Sequence, residues 1–135
     1  MQISNPIVFE IIGTLGNLNE WIKKMNRHRM LGHSYKKEYQ EIVEFAIQDA
    51  RIHNLQLETP YFFEYSFYMG SKKLDKDNYE SFCKKVILDA LQVMGTIKQD
   101  NWNAVTGNRS KFFLDREYPR IEVKIYHNYT KEESQ

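Results

Sequence analysis

The run Tyr61-Phe-Phe-Glu-Tyr-Ser-Phe-Tyr-Met69, set between Thr59-Pro60 and Gly70, constrains the fold of this chain most. Aromatic residues at this density favour a pleated, half-buried surface, and the flanking Pro and Gly mark where the strand begins and stops. A strand this apolar needs a cover, and the sequence supplies one on each side. From Ser34 to about Asn54 apolar residues recur at Tyr39, Ile42, Val43, Ala46, Ile47 and Ala50, the three-and-four spacing of an amphipathic helix, with Ser34 as N-cap. From 79 to 94 the same spacing returns in Tyr79, Phe82, Cys83, Val86, Ile87, Ala90, Leu91 and Met94, and Gly95 ends it.

Three further segments read as strands. Residues 6 to 12 (PIVFEII) are short and β-rich, and Gly13 to Asn19 reads as the loop after them. Roughly Trp102 to Leu114 is β-like but broken at Gly107-Asn108, and Arg120 to His127 alternates Ile121, Val123 and Ile125 with Arg120, Glu122 and Lys124. The expected fold class is α/β (α+β): a single-domain mixed β-sheet packed with two main helices, in the order β-α-β-α-β-β. At 135 residues, with no repeat and no Pro/Gly/Ser-rich linker, one domain over 1–135 is expected, with 1–5 and 128–135 as flexible tails.

Composition narrows the function classes. Hydrophobic residues at 41% and charged residues at 27% exclude disorder as the main state. No apolar run approaches the roughly 20 residues that cross a bilayer, and Asn5, Pro6 and Glu10 interrupt any signal-like start, so a cytoplasmic protein is expected. The single cysteine, Cys83, excludes an intrachain disulfide and a Cys-rich zinc site. His28, His33, His53 and His127 lack metalloprotease spacing, so any metal must be held by oxygen.

Oxygen ligands are concentrated before the second helix, in Asp75-Lys76-Asp77-Asn78. In extended backbone Asp75 and Asp77 project to one side, where two carboxylates repel unless a proton or a hard cation such as Mg²⁺ offsets them. Asp100, after the helix, is a candidate third ligand. The alternative is that Asp77 or Asn78 caps the helix while Asp75 is a solvated turn residue. Asp89, inside the helix, reads as a surface or supporting group.

Net charge is only +1, but it is unevenly spread. Lys23, Lys24, Arg27, Arg29, Lys36 and Lys37 fall in one stretch with no acid between Glu20 and Glu38. Such a block is either a contact surface for phosphates or a solvated basic loop. Lys72, Lys73 and Lys76 flank the acidic pair, as phosphodiester chemistry needs. Within the helix, Lys84 lies about 20° and Lys85 about 80° around the axis from Asp77, and both are ~10 to 12 Å along it. Both also read as solvent-facing lysines. Trp102 is either a base-stacking residue or a core residue.

Asp75-x-Asp77-Asn78, then Lys84-Lys85-Val86-Ile87-Leu88-Asp89-Ala90-Leu91, then Gly95-x-Ile97-x-x-Asp100-Asn101-Trp102 together resemble the RusA-like endodeoxyribonucleases, Holliday junction resolvases of phage and prophage type. The resemblance runs from about residue 7 to 127 and includes Leu18-Asn19, Tyr35-Lys36 and the last strand. It implies a small α/β homodimer with Mg²⁺-dependent cleavage of four-way DNA junctions, Mn²⁺ substituting, and an active site of three aspartates and a lysine. Carried over, the aspartates are Asp75, Asp77 and Asp100, and the lysine is Lys85, four before Asp89, with Lys84 as understudy. The pattern departs in two places. Ser81 stands four after the second aspartate, where the founding pattern has lysine, and Gln99-Asp100 replaces an acidic doublet.

The resulting expectation is a structure-selective endonuclease acting in DNA recombination and repair. Its aspartates hold Mg²⁺, its lysine stabilises phosphate charge, and the Lys23–Lys37 stretch holds DNA arms. The alternatives are a non-catalytic DNA-binding or architectural protein with the same fold, and a nuclease for other branched DNA.

Overall fold

The computed structural model describes residues 5–73, 75–98 and 105–128. The elements are β1 (Ile7–Ile12), α1 (Leu18–Arg27), α2 (Arg29–Asp49), β2 (Tyr61–Met69), α3 (Lys76–Val93), β3 (Val105–Leu114) and β4 (Arg120–His127). The strands form one sheet in the order β1-β4-β2-β3. β4 runs antiparallel to both β1 and β2, whereas β3 lies parallel to β2, so β2-α3-β3 is a crossover unit. The mixed α+β class and the strand order along the chain agree with the sequence reading.

Alternation along β2 creates two unlike faces. Tyr61, Phe63, Tyr65, Phe67 and Met69 are buried under the helices, together with Phe9 and Ile11 of β1 and Ile121, Val123 and Ile125 of β4. Helix α3 closes over them with Tyr79, Phe82, Cys83, Val86, Ile87, Ala90 and Leu91, all buried. Ring contacts knit the layers: Tyr79 meets Phe67 edge-on at 5.7 Å, and Phe67 stacks on Phe112 at 5.0 Å. Among the described residues no helix covers the other face of the sheet, which mixes charged, aromatic and aliphatic side chains.

The main departure from the sequence reading is α1. Asn17 caps it, its Oδ1 accepting from the Glu20 amide at 2.9 Å, and Leu18, Trp21, Ile22 and Met25 give it helical spacing. A loop and a basic stretch were expected there. The second helix also starts earlier than Ser34: His28 adopts extended backbone (φ −166°) and its Nδ1 accepts from the Met30 amide at 3.1 Å, capping α2. Ser34 is therefore an interior helical residue. The two helices approach closely at Gly32, where an added Cβ would lie 2.0 Å from Met25 Cγ. Gly95 ends α3 as expected, at φ +73°.

Gly107-Asn108 does not break β3. The register irregularity falls one step earlier, because Tyr61 pairs with Val105 and Phe62 with Gly107. Among the described residues no helix is long and apolar enough to cross a membrane.

Candidate functional site

The C-terminal end of β2 delivers the chain through Ser71, Lys72 and Lys73 to the start of α3. Asp75 is the N-cap: its Oδ1 accepts from the Asn78 amide at 3.3 Å and its Oδ2 from Asn78 Nδ2 at 2.6 Å. The capping role read for Asp77 or Asn78 thus belongs to Asp75. Asp77 is already helical, so the two-residue repeat of extended backbone does not set the direction of the pair. Both carboxylates are nonetheless exposed at one helix end. The positive end of the helix dipole supplies part of their counter-charge.

Lysines surround this end. Lys72, Lys73 and Lys76 are exposed, and Lys76 Nζ lies 5.1 Å from the centre of the Phe112 ring. Lys72 and Lys76 line a groove of about 270 Å³ together with Met69, Phe112 and Leu114. Cations beside an aromatic ring suit a phosphate with its attached base.

The third expected aspartate, Asp100, lies outside the described residues, as does Trp102. The described residues on either side, Lys98 and Val105, both meet Tyr61: the Lys98 amide donates to Tyr61 Oη at 3.1 Å, and Val105 pairs with Tyr61 in the sheet. Tyr61 begins β2, whereas Asp75 follows its end, and the 9 residues of β2 span about 30 Å. Among the described residues no three His, Cys, Asp or Glu side chains gather to hold a metal. Mg²⁺ is commonly held by one or two carboxylates, with waters and substrate phosphates completing its shell. The all-carboxylate pair Asp75 and Asp77 fits that smaller set.

The two helical lysines point apart. Lys84 Nζ donates to Glu80 and, at 2.6 Å, to Asn108 Oδ1 on β3, and it lies 5.3 Å from the Tyr65 ring centre. Ser110 Oγ donates to the same Glu80 oxygen at 2.7 Å. Burial pushes Glu80 upward, but hydrogen bonds from Lys84 and Ser110 and the Lys84 charge hold it below its ordinary value. Lys85 is more exposed and lies 3.4 Å from Asp89, which also receives Lys36 Nζ from α2 at 2.7 Å. Asp89 is thus an ion-pair acceptor joining α2 and α3. Glu80, Asn108 and Ser110 were not singled out from sequence, although Glu80-x-x-x-Lys84 is a legible helical ion pair.

The basic stretch divides in the same way. Lys23, Arg27 and Arg29 are exposed around the α1–α2 junction. Lys24 lies 5.7 Å from the Tyr35 ring centre, Lys36 is held by Asp89, and Lys37 is exposed with Glu41 at 4.0 Å. The α1 region adjoins the first turns of α3, since the Leu15 amide donates to Tyr79 Oη at 3.2 Å and Trp21 meets Phe82 edge-on at 5.8 Å.

In comparisons with known proteins, no family model matches the chain and no curated protein matches it significantly.

Proposed function

We propose that this protein is a structure-selective endodeoxyribonuclease for branched DNA, four-way junctions above all, working as a two-fold homodimer with Mg²⁺. The observation that carries the reading is the juxtaposition at the start of α3. The exposed Asp75 and Asp77 adjoin a groove that Lys72, Lys76 and Phe112 line. The motif order shared with RusA-like enzymes supports the same reading.

In this reading Lys72, Lys73 and Lys76 bind the backbone around the scissile phosphate, and the Phe112 ring beside Lys76 positions the adjoining nucleotide. Asp75 and Asp77 would hold the Mg²⁺, which when bound supplies Lewis-acid charge to a phosphate oxygen. Lys23, Arg27, Arg29 and Lys37 hold DNA arms farther out. Lys85, and Lys84 after it, are placed about 12 Å or less along α3 from Asp77. Of the lysines, Lys76 is the nearest in sequence to both carboxylates and the best placed to stabilise phosphate charge.

A second reading, a branched-DNA-binding protein without cleavage, draws on one observation: both oxygens of Asp75 already accept hydrogen bonds from Asn78. A labelled synthetic four-way junction separates the two. Paired symmetric nicks that need Mg²⁺ and vanish with EDTA support the nuclease, whereas a retarded but uncut junction supports the second reading. Forks and flaps run beside it fix the preferred geometry.

A further inference from the structure

Strand β1 is an edge of the sheet, with β4 on one side and, among the described residues, no strand on the other. The Gly13 amide donates to the Pro119 carbonyl at 2.9 Å, which continues the β1–β4 register by one step. That bond sets the phase of the ladder. Ile7, Phe9 and Ile11 exchange hydrogen bonds with β4, so the amides and carbonyls of Val8, Glu10 and Ile12 point away from it. Among the described residues nothing bonds to those outward groups.

A groove of about 400 Å³ adjoins this edge, lined by Val8, Glu10, Ile12 and Glu122 of the sheet and by Ala46 and Asp49 of α2. Among the described residues that line it, every charged one is an acid. Glu10 and Glu122 stand directly opposite each other on neighbouring strands, a like-charge pairing that is destabilising unless a cation offsets it. Cations two residues along β4 on either side of Glu122 are engaged elsewhere. Arg120 is paired with Asp115, with Glu10 the weakest of its charge partners, and the Lys124 charge acts on Glu64. Apolar surface is left in water on both walls. Ile12 is 70% exposed and Val8 46%, and on α2 Phe45 is 70% and Ile42 41% exposed, sharing a helix face with Asp49.

We infer that β1 is the docking edge for an extended segment of another protein, one that carries Lys or Arg at every second residue. A strand added about 4.8 Å beyond β1 satisfies the outward backbone groups. Its side chains alternate between the two faces of the sheet. Those on the open face lie beside Glu10, with Glu122 one strand farther in, where a cation offsets the paired carboxylates. Those on the helix side meet Ala46 and Ala50, which suits small or aliphatic residues. The 6 residues of β1 offer about 20 Å of edge, enough for a segment of similar length.

The charges select this occupant. Glu10, Asp49 and Glu122 repel the phosphates of a nucleic acid. A second copy pairing through β1 about Glu10 sets that carboxylate against its own counterpart. Because β1 and β3 are opposite edges of the sheet, a segment held on β1 leaves the groove beside Phe112 open. The inference stands apart from the nuclease reading.

Fluorescence anisotropy of the full chain with labelled synthetic peptides tests it, without DNA or Mg²⁺. The probe is an end-blocked peptide in which Lys and Val alternate. Saturable binding at micromolar protein is expected, and replacing every Lys by Glu should weaken it by about tenfold or more. Two further peptides keep all charges but are N-methylated, one at the lysines and the other at the valines. Strand addition uses one of these sets of amides, so one peptide should bind and the other fail. Glu10→Lys, checked for native circular dichroism, is expected to lose about tenfold or more in affinity for the lysine peptide and to gain affinity for the glutamate peptide. No saturable binding of the lysine peptide, equal binding of both N-methylated peptides, or a Glu10→Lys chain with unchanged preference overturns the proposal. So does a wild-type dimer that the peptide dissociates, which assigns the edge to a second copy.

Discussion

Lys84 Nζ sits 2.6 Å from Asn108 Oδ1, tying the middle of α3 to the edge strand β3. The same ammonium pairs with Glu80, one helical turn back. A lysine with these partners holds a helix against a sheet edge. Lys84→Met is expected to lower stability by about 1 kcal/mol, the worth of a part-buried, charge-assisted hydrogen bond. Junction affinity should be nearly unchanged. Urea unfolding and fluorescence anisotropy check the two halves separately.

Asp75 combines a cap with a candidate ligand, and two substitutions separate those roles. Asn caps helices as well as Asp does, so Asp75→Asn is expected to preserve the urea midpoint while abolishing Mg²⁺-dependent cutting. Asp75→Ala should in addition cost about 1 kcal/mol of stability. Equal loss of stability in both variants would show that the charge, not the cap, matters to the fold.

The depressed Glu80 carboxyl gives stability a defined pH dependence. A group whose folded-state value lies below its unfolded value contributes fully above the latter, 4.5 for Glu, and loses that contribution as pH falls through the folded value. Glu64 adds a limb of the same sign. Burial raises it, but Tyr126 and Arg109 as hydrogen-bond donors hold it low overall. Thermal melts between neutral and acid pH should show stability falling below about pH 4.5, with a shallower fall in Glu80→Gln.

Lys72 and Lys73 are exposed beside the groove, and their effect on DNA should be electrostatic. Each change to Ala is expected to weaken junction binding and to reduce the slope of log affinity against log salt by about 1. A salt titration by anisotropy measures that slope. Lys36→Ala serves as the contrast: its ammonium is committed to Asp89, so it should alter the slope little.

Gly32→Ala tests the α1–α2 approach. The added Cβ meets Met25 Cγ at 2.0 Å and Met25 Cα at 3.1 Å. Strain of about 1–3 kcal/mol then outweighs the gain of about 1 kcal/mol in helix propensity. A melting temperature at or above wild type would show that α1 shifts freely.

Legibility in the sequence followed the period of the apolar residues. The alternation of β4 and the aromatic run of β2 translate directly into buried and half-buried faces, and the stripe from Tyr79 to Leu91 is the buried face of α3. Helix α1 was hidden because the basic residues among Leu18, Trp21, Ile22 and Met25 drew the reading toward charge, although Asn17-x-x-Glu20 signals a helix start. His28 as a cap was not legible, since its role depends on extended backbone between two helices. The Asp75–Asp77 pair was found by residue type, but the backbone that orients it is a helix start rather than a strand. The strand order β1-β4-β2-β3 was not legible, because no sequence pattern states which strands are neighbours.

The central claim is tested most directly by single-turnover cleavage of a labelled four-way junction with Mg²⁺, comparing wild type with Asp75→Asn and Asp77→Asn at matched junction occupancy. The account predicts paired nicks by the wild type, and none by either variant while binding is kept or strengthened. Undiminished cutting by both variants, or an uncut junction held by the wild type at every Mg²⁺ concentration, contradicts it.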